Sequence, residues 1–238
     1  MIRALVCAMG LVCATMADAA CRQALALGLD VSGSVDAREY RLQINGLAAA
    51  LDNAAVRSAL LSAPGAPVSV MTYEWSGPSD QAVIAPWTSI DSSATLDGFI
   101  ETLLQTTRRE ASPGTALGVS MNLGAFYLDQ KPDCWTRTLD ISGDGKSNLG
   151  PRPRDLKDAL GARGITLNAL VIGVDDPSAG DQRQAEIGEL SSYFRAEVIV
   201  GPNAFVETAL GFDDYEAAMT RKLLRELEVL AVSDLSLD

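Results

Sequence analysis

Two stretches of this chain limit its fold more than anything else: Ala24-Leu25-Ala26-Leu27-Gly28-Leu29 and Ile165-Thr166-Leu167-Asn168-Ala169-Leu170-Val171-Ile172. Each is nearly unbroken in apolar residues and too short for a buried helix. Neither alternates apolar with polar, as a strand with one wet face would. Such runs belong to strands covered on both faces, and that burial is supplied by helices packed above and below a mostly parallel sheet. Val68 to Tyr73 and Thr136 to Ser142 have the same character, and Ala82-Val83-Ile84 is a short strand paired to the former across the Ser76-Gly77-Pro78-Ser79 turn. Val198 to Val200 is expected to supply the last strand.

Helical periodicity fills the gaps between these strands. Asp36 followed by Glu39 opens a capping box, and Tyr40, Ile44, Leu47 and Leu51 follow on one face. Leu96, Phe99, Ile100, Leu103 and Leu104 form a second apolar stripe, and Leu117, Met121, Ala125 and Leu128 a third. Further helices are expected over Pro153 to Arg163, Gln182 to Leu190 and Tyr215 to Val229. The alternation of strands and helices predicts a doubly wound α/β fold with helices on both faces. With no internal repeat and no low-complexity linker, residues 21–238 are expected to form one domain.

The first 20 residues are set apart as an export signal. Arg3 gives a positive start, Ala4 to Met16 is apolar but short for a membrane span, and Ala17-Asp18-Ala19 offers a small-x-small cleavage site. A retained N-terminal anchor is the alternative. A lipid on Cys21 is disfavoured by Asp18. No later segment is apolar enough to span a membrane, and an exported chain is expected in the periplasm or outside the cell. Removing the signal leaves Cys21 and Cys134, an even pair in an oxidising compartment, open to a disulfide or to two unrelated buried thiols.

Composition narrows function. The chain has no histidine, which excludes His-dependent triads and His-rich zinc or iron sites. Its formal charge of −12 repels phosphate backbones and anionic lipid, so nucleic acid is not an expected partner. Any metal would sit on oxygen or sulfur.

Three segments supply hard oxygen donors. Asp30-Val31-Ser32-Gly33-Ser34 places one carboxylate and two hydroxyls in a single turn beyond a buried strand, where open α/β sheets bind ligands. Pro113-Gly114-Thr115 sets a threonine at a helix start, and Ile141-Ser142-Gly143-Asp144-Gly145 sets an aspartate just past another strand. These donors suit Mg²⁺ or Mn²⁺. By itself the first segment is equally a capped helix start.

Together the three motifs, in this order, resemble the metal-ion-dependent adhesion site of von Willebrand factor A-like domains, and the element order resembles that superfamily along essentially the whole mature chain. The chain is also similar to a bacterial group of secreted members that carry D-V-S-x-S, E-W-S-G (here Glu74 to Gly77) and I-S-G-D-G. The resemblance implies a Rossmann-like sheet of order 3-2-1-4-5-6 with one antiparallel edge strand. It also implies metal ligation by Ser32, Ser34 and Thr115, with Asp30 and Asp144 acting directly or through water. Mg²⁺ is the expected ion, with Mn²⁺ or Ca²⁺ as alternatives, and the expected partner is a protein or other ligand presenting a carboxylate. The departures are Pro113-Gly114 where many members have Gly-Gly, and Gly143 where Thr or Ser is common; neither removes a ligand atom. In the family sheet the strands before Asp30 and Asp144 are parallel neighbours. Cys21 and Cys134, at nearly equal offsets before them, would then meet at the end opposite the metal.

Other readings stay open here. Gly143 to Asn148 is similar to the G-D-G-x-N-D of haloacid-dehalogenase-like phosphatases, with Asp30 as nucleophile, but Ser32 stands where the general acid is required and Asn148 where the last Asp belongs. A metal-free interaction module is the third reading. The expectation is a non-enzymatic binding protein with no catalytic residues. Glu74 and Trp75 belong on the metal side, Trp75 either as a rim aromatic or packed beneath the hairpin. Asp140 is either an outer support or a satisfied buried carboxyl, Asp175-Asp176 either a second cation site or a solvated turn, and Arg108-Arg109 either a pair that steers an acidic ligand or a simple exposed loop pair.

Overall fold

The computed structural model describes residues 21–173 and 180–234. The proposed signal and Asp175-Asp176 lie outside them. Six strands and seven α-helices alternate: β1 (Cys21–Asp30), α1 (Ala37–Asp52), α2 (Ala54–Leu61), β2 (Val68–Trp75), β3 (Gln81–Ile90), α3 (Ser93–Leu104), α4 (Leu117–Leu128), β4 (Cys134–Gly143), α5 (Arg154–Ala162), β5 (Ile165–Ile172), α6 (Gly180–Glu197), β6 (Val206–Ala209) and α7 (Tyr215–Asp234). They build one sheet of order β3-β2-β1-β4-β5-β6, parallel throughout except for β3 against β2. Pro86, which has no N–H to give a ladder, sits on the edge strand β3, where it costs least.

Alternate residues of the central strand face two different cores. Leu25, Leu27 and Leu29 pack with α1, α2, α3 and α7 on one side. Ala24 and Ala26 belong to the other side, with α4, α5 and α6. The small residues there admit bulk from the neighbours: a side chain at Gly28 would meet the Tyr73 ring at 2.7 Å, and the Tyr73 hydroxyl bonds the carbonyl oxygen of Ser120 at 3.0 Å. Helix α1 begins with the expected capping box, Asp36 and Glu39 satisfying each other's backbone N–H. Met121 and Leu128 are core residues.

One expectation needs correction. The sixth strand is Val206–Ala209, not Val198 to Val200. Val198 and Ile199 both donate to the carbonyl oxygen of Phe194 and so close α6, leaving Val200 as an isolated antiparallel bridge to Leu167. The true edge strand, Val-Glu-Thr-Ala, is half polar and carries no apolar run to reveal it. The first helix ends where its apolar stripe does, and a short helix that the sequence did not announce, α2, follows it, capped by Asn53 through Ala55 N.

Cys21 and Cys134 are register partners at the amino ends of β1 and β4 and form a disulfide with Cα atoms 4.4 Å apart, closing 113 residues of sequence separation. The Cys21 sulfur is therefore not free for a thioether lipid. Among the described residues no helix is long and apolar enough to cross a membrane.

Candidate metal centre

At the other end of the same two strands the chain leaves the sheet at Asp30 and at Gly143. Asp30 is fully buried. Its Oδ1 accepts from Ser32 N at 2.8 Å, its carbonyl oxygen accepts from Gln43 Nε2 at 2.9 Å, and its Oδ2 has no partner among the described residues. Val31 N is held by Trp75 O at 2.9 Å, so β2 orients the first step out of the strand. The turn then folds on itself: Val35 N reaches back to Ser32 O, and the Ser32 and Ser34 hydroxyls lie 3.3 Å apart. Ser34 Oγ donates to Asp144 Oδ1 at 2.7 Å, which joins the β1 and β4 loops directly.

Thr115 reaches this rim through its loop, and none of the hydrogen bonds links its side chain to the other four residues. Gly33 N donates to Pro113 O at 3.2 Å, and a side chain at Gly33 would meet Pro113 Cβ at 2.7 Å, so this close approach needs glycine. From the other side, Asn148 Oδ1 accepts from Thr115 N at 2.9 Å while Asn148 N donates to Thr115 O at 2.9 Å. Ala116 N donates to Ser76 O at 2.8 Å, tying the same loop to the β2–β3 hairpin. The structure thus brings Asp30, Ser32, Ser34 and Asp144 into mutual contact and brackets Thr115 beside them.

The electrostatics are those of a site lacking a positive charge. Burial, followed by the negative charge of Asp144, pushes the Asp30 carboxyl up to about 8. Burial likewise raises Asp144, against the lowering effect of the Ser34 hydrogen bond. Neither carboxylate has a salt-bridge cation among the described residues. Every donor is an oxygen, two are carboxylates, and one buried carboxylate oxygen is left without a partner. This donor set fits a hard divalent cation.

Several supporting residues escaped the sequence reading. Asn148 was visible only as the misfit of a phosphatase motif; its real neighbour is Thr115. Gln43 holds the Asp30 carbonyl from α1, a contact with no sequence signature. Glu74 is buried and accepts from the Tyr40 hydroxyl at 2.5 Å. Trp75 is fully buried, which settles it as packing and not as a rim aromatic. Asp140 is fully buried too, 2.6 Å from Lys222 Nζ, and is a paired carboxyl away from the rim. Arg108 is not a free loop charge: its guanidinium donates to Val35 O at 2.5 Å and braces the serine turn.

Comparison with solved structures places this geometry in a known fold. The chain is similar to proximal thread matrix protein 1 from the mussel byssus, described with a zinc-occupied MIDAS motif (16% identity, TM-score 0.57, 90% of this chain and 49% of that one). It is similar to the pilus adhesin SpaC from Lactobacillus rhamnosus GG (13% identity, TM-score 0.60, 88% and 31%) and to a von Willebrand factor type A protein from Catenulispora acidiphila (16% identity, TM-score 0.55, 87% and 42%). The chain spans less than half the length of each. No curated protein matches the chain. The fold is that of a von Willebrand factor A-type domain, and the chain, matched over residues 20–231, belongs to the family described as "Protein of unknown function (DUF1194)".

Proposed function

We propose that this protein is an exported, non-enzymatic binding module that holds a divalent cation at Asp30, Ser32, Ser34, Thr115 and Asp144 and uses it to capture a carboxylate on a partner. The observation that carries the reading is the Ser34–Asp144 contact beside the unpartnered Asp30 Oδ2: oxygen donors from β1 and β4 converge where a buried and a half-buried carboxylate have no counter-charge among the described residues. A bound divalent cation would supply that charge and an electrophilic point for the partner. Asp30 and Asp144 would balance it, directly or through water, while the neutral hydroxyls of Ser32, Ser34 and Thr115 leave it attractive to a further carboxylate.

Mg²⁺ is the proposed ion, with Mn²⁺ or Ca²⁺ as alternatives; the zinc in the mussel protein supports divalent occupancy of such a fold, not a particular metal here. The adhesin and matrix proteins of the same fold support a binding role over catalysis. The disulfide supports export, with cleavage after Ala19 or Ala20 and residence in the periplasm or beyond it.

Titration calorimetry of the signal-free, oxidised protein after chelation tests the site. One Mg²⁺ or Mn²⁺ per chain is expected, with proton release that grows as pH falls below about 8, since Asp30 must ionise to ligate. Asp30→Ala should abolish the heat while far-ultraviolet dichroism stays native. Unchanged affinity in that variant would remove Asp30 from the site and the assignment with it.

A further inference from the structure

The sheet face beneath α7 changes character along its length. Toward the carboxyl ends it is apolar, with Leu25, Leu27, Leu29, Leu170 and Ile172. Toward the amino ends the same rows turn polar: Gln23 is level with Thr136, Thr138 with Thr166, and Asp140 with Asn168. A sheet face roofed by a helix is ordinarily filled with apolar side chains, and polar groups placed there need partners.

Most of them have one. Gln23 Nε2 donates to Thr138 Oγ1 at 2.9 Å. Asn168 Nδ2 donates to Glu226 Oε1 at 2.7 Å, and Asn168 Oδ1 accepts from Phe205 N at 3.1 Å. Lys222 Nζ, fully buried on α7, lies 2.6 Å from Asp140 Oδ2 and 2.7 Å from Glu226 Oε1. Asp140 Oδ1 has none among the described residues, and neither do two further acceptors, Gln23 Oε1 and Glu226 Oε2. Their residues are only 2% and 5% exposed.

Both residues line a cleft of about 280 Å³ between the strand starts, the 202–205 loop and α7. Of the three buried charges only Glu226 lines the cleft, while Lys222 and Asp140 do not reach its wall. Arg225, exposed and also lining the cleft, stacks its guanidinium 3.9 Å over the Phe205 ring. Deep acceptors and a guanidinium on the exposed side are complementary to a molecule that is cationic at one end and anionic at the other. An anion alone would face Glu226, and an apolar ligand would leave both acceptors unpaired. The volume is at the lower limit of small-molecule sites, about 300 Å³, which excludes a nucleotide or a folded peptide.

We propose that this cleft is a second site, remote from the metal centre, that binds a free amino acid: its ammonium group on the Glu226 and Gln23 side, its carboxylate meeting Arg225.

Calorimetry of the signal-free, oxidised protein in chelator tests this, with glycine, alanine, serine, threonine, proline and aspartate titrated in turn. Ethanolamine supplies the amine alone and propionate the carboxylate alone. Saturable binding of at least one amino acid, at one per chain, is expected, with ethanolamine weaker by about tenfold and propionate inert. Arg225→Ala should weaken the amino acid by about tenfold and leave ethanolamine unchanged. Gln23→Leu should remove both, and if it fails to fold, Arg225→Ala decides. No saturable heat with any of the six at millimolar concentration would mean a water-filled cleft and overturn the proposal, as would equal binding of propionate or affinity that survives both variants. The metal-site variant Asp30→Ala should bind the amino acid normally, which keeps this outcome separate from the fate of the metal reading.

Discussion

The two ends of the β1–β4 pair are built on opposite terms. At the amino end the strands are joined covalently through Cys21 and Cys134. At the carboxyl end, nine residues further along β1, the same strands deliver Asp30 and its neighbour Asp144, two carboxylates that burial, joined at Asp30 by the charge of Asp144, holds above their ordinary range. One end constrains the chain, and the other carries an electrostatic cost that a proton on Asp30, or the proposed cation, would relieve. Stability and binding capacity are therefore separated by the length of the strands, and damage to one should leave the other measurable.

The largest effect expected of that comparison comes from the covalent end. Replacing Cys21 and Cys134 with Ala should lower unfolding stability by about 4–5 kcal/mol in denaturant titration, the value for a loop of this length. Metal stoichiometry should stay the same in the folded fraction; loss of the site along with the bridge would show that the two ends are not independent.

A somewhat smaller loss is expected midway along the strands. Lys222→Met leaves Asp140 and Glu226 facing each other without a cation in a fully buried position, a change that costs about 3–5 kcal/mol when one partner of a buried pair is removed. Thermal unfolding checks it, and a variant as stable as the wild type would mean that α7 repacks around the carboxyls.

The smallest effect has the opposite sign. In the metal-free protein Asp30 has a folded pKa of about 8, well above the value of 3.8 expected once unfolded. Between those values the folded state holds more protons at Asp30 than the unfolded one, so the contribution of Asp30 to stability is largest at low pH and is lost as pH rises toward 8. Asp30→Asn should flatten that slope and stabilise the metal-free protein at pH 8 by about 0.5–2 kcal/mol, while destroying metal binding. Chemical denaturation of both proteins across this range reads the difference. A variant less stable than the wild type at pH 8 would show that the carboxylate contributes to the fold and is not a cost carried for function.

Legibility followed burial. The central strands were visible because Leu25, Leu27 and Leu29 on one side and Ala24 and Ala26 on the other leave no polar period, and such a run has one stable home. Edge elements were harder: β6 is Val-Glu-Thr-Ala, half exposed and without pattern, whereas Val198-Ile199-Val200 looked like a strand because a helix end packed against the core is just as apolar. Asp30, Ser32, Ser34, Thr115 and Asp144 stand out as candidates because three short motifs fall in family order. Their supports, Gln43, Asn148 and Arg108, were not, because each acts on a backbone group far away in sequence.

Residue order alone determined the class of fold, the cap of α1, the exclusion of histidine from any metal site and the pairing of the two cysteines once the family was recognised. Periodicity, turn residues and the absence of histidine are local or compositional properties that need no partner to be read. Only the tertiary structure decided that Trp75 packs inward, that Asp30 Oδ2 has no partner, that Lys222 is buried between Asp140 and Glu226, and that a polar cleft lies beneath α7. Each of these depends on what stands opposite a side chain, and in a parallel sheet the opposing residue comes from a strand or helix tens of residues away.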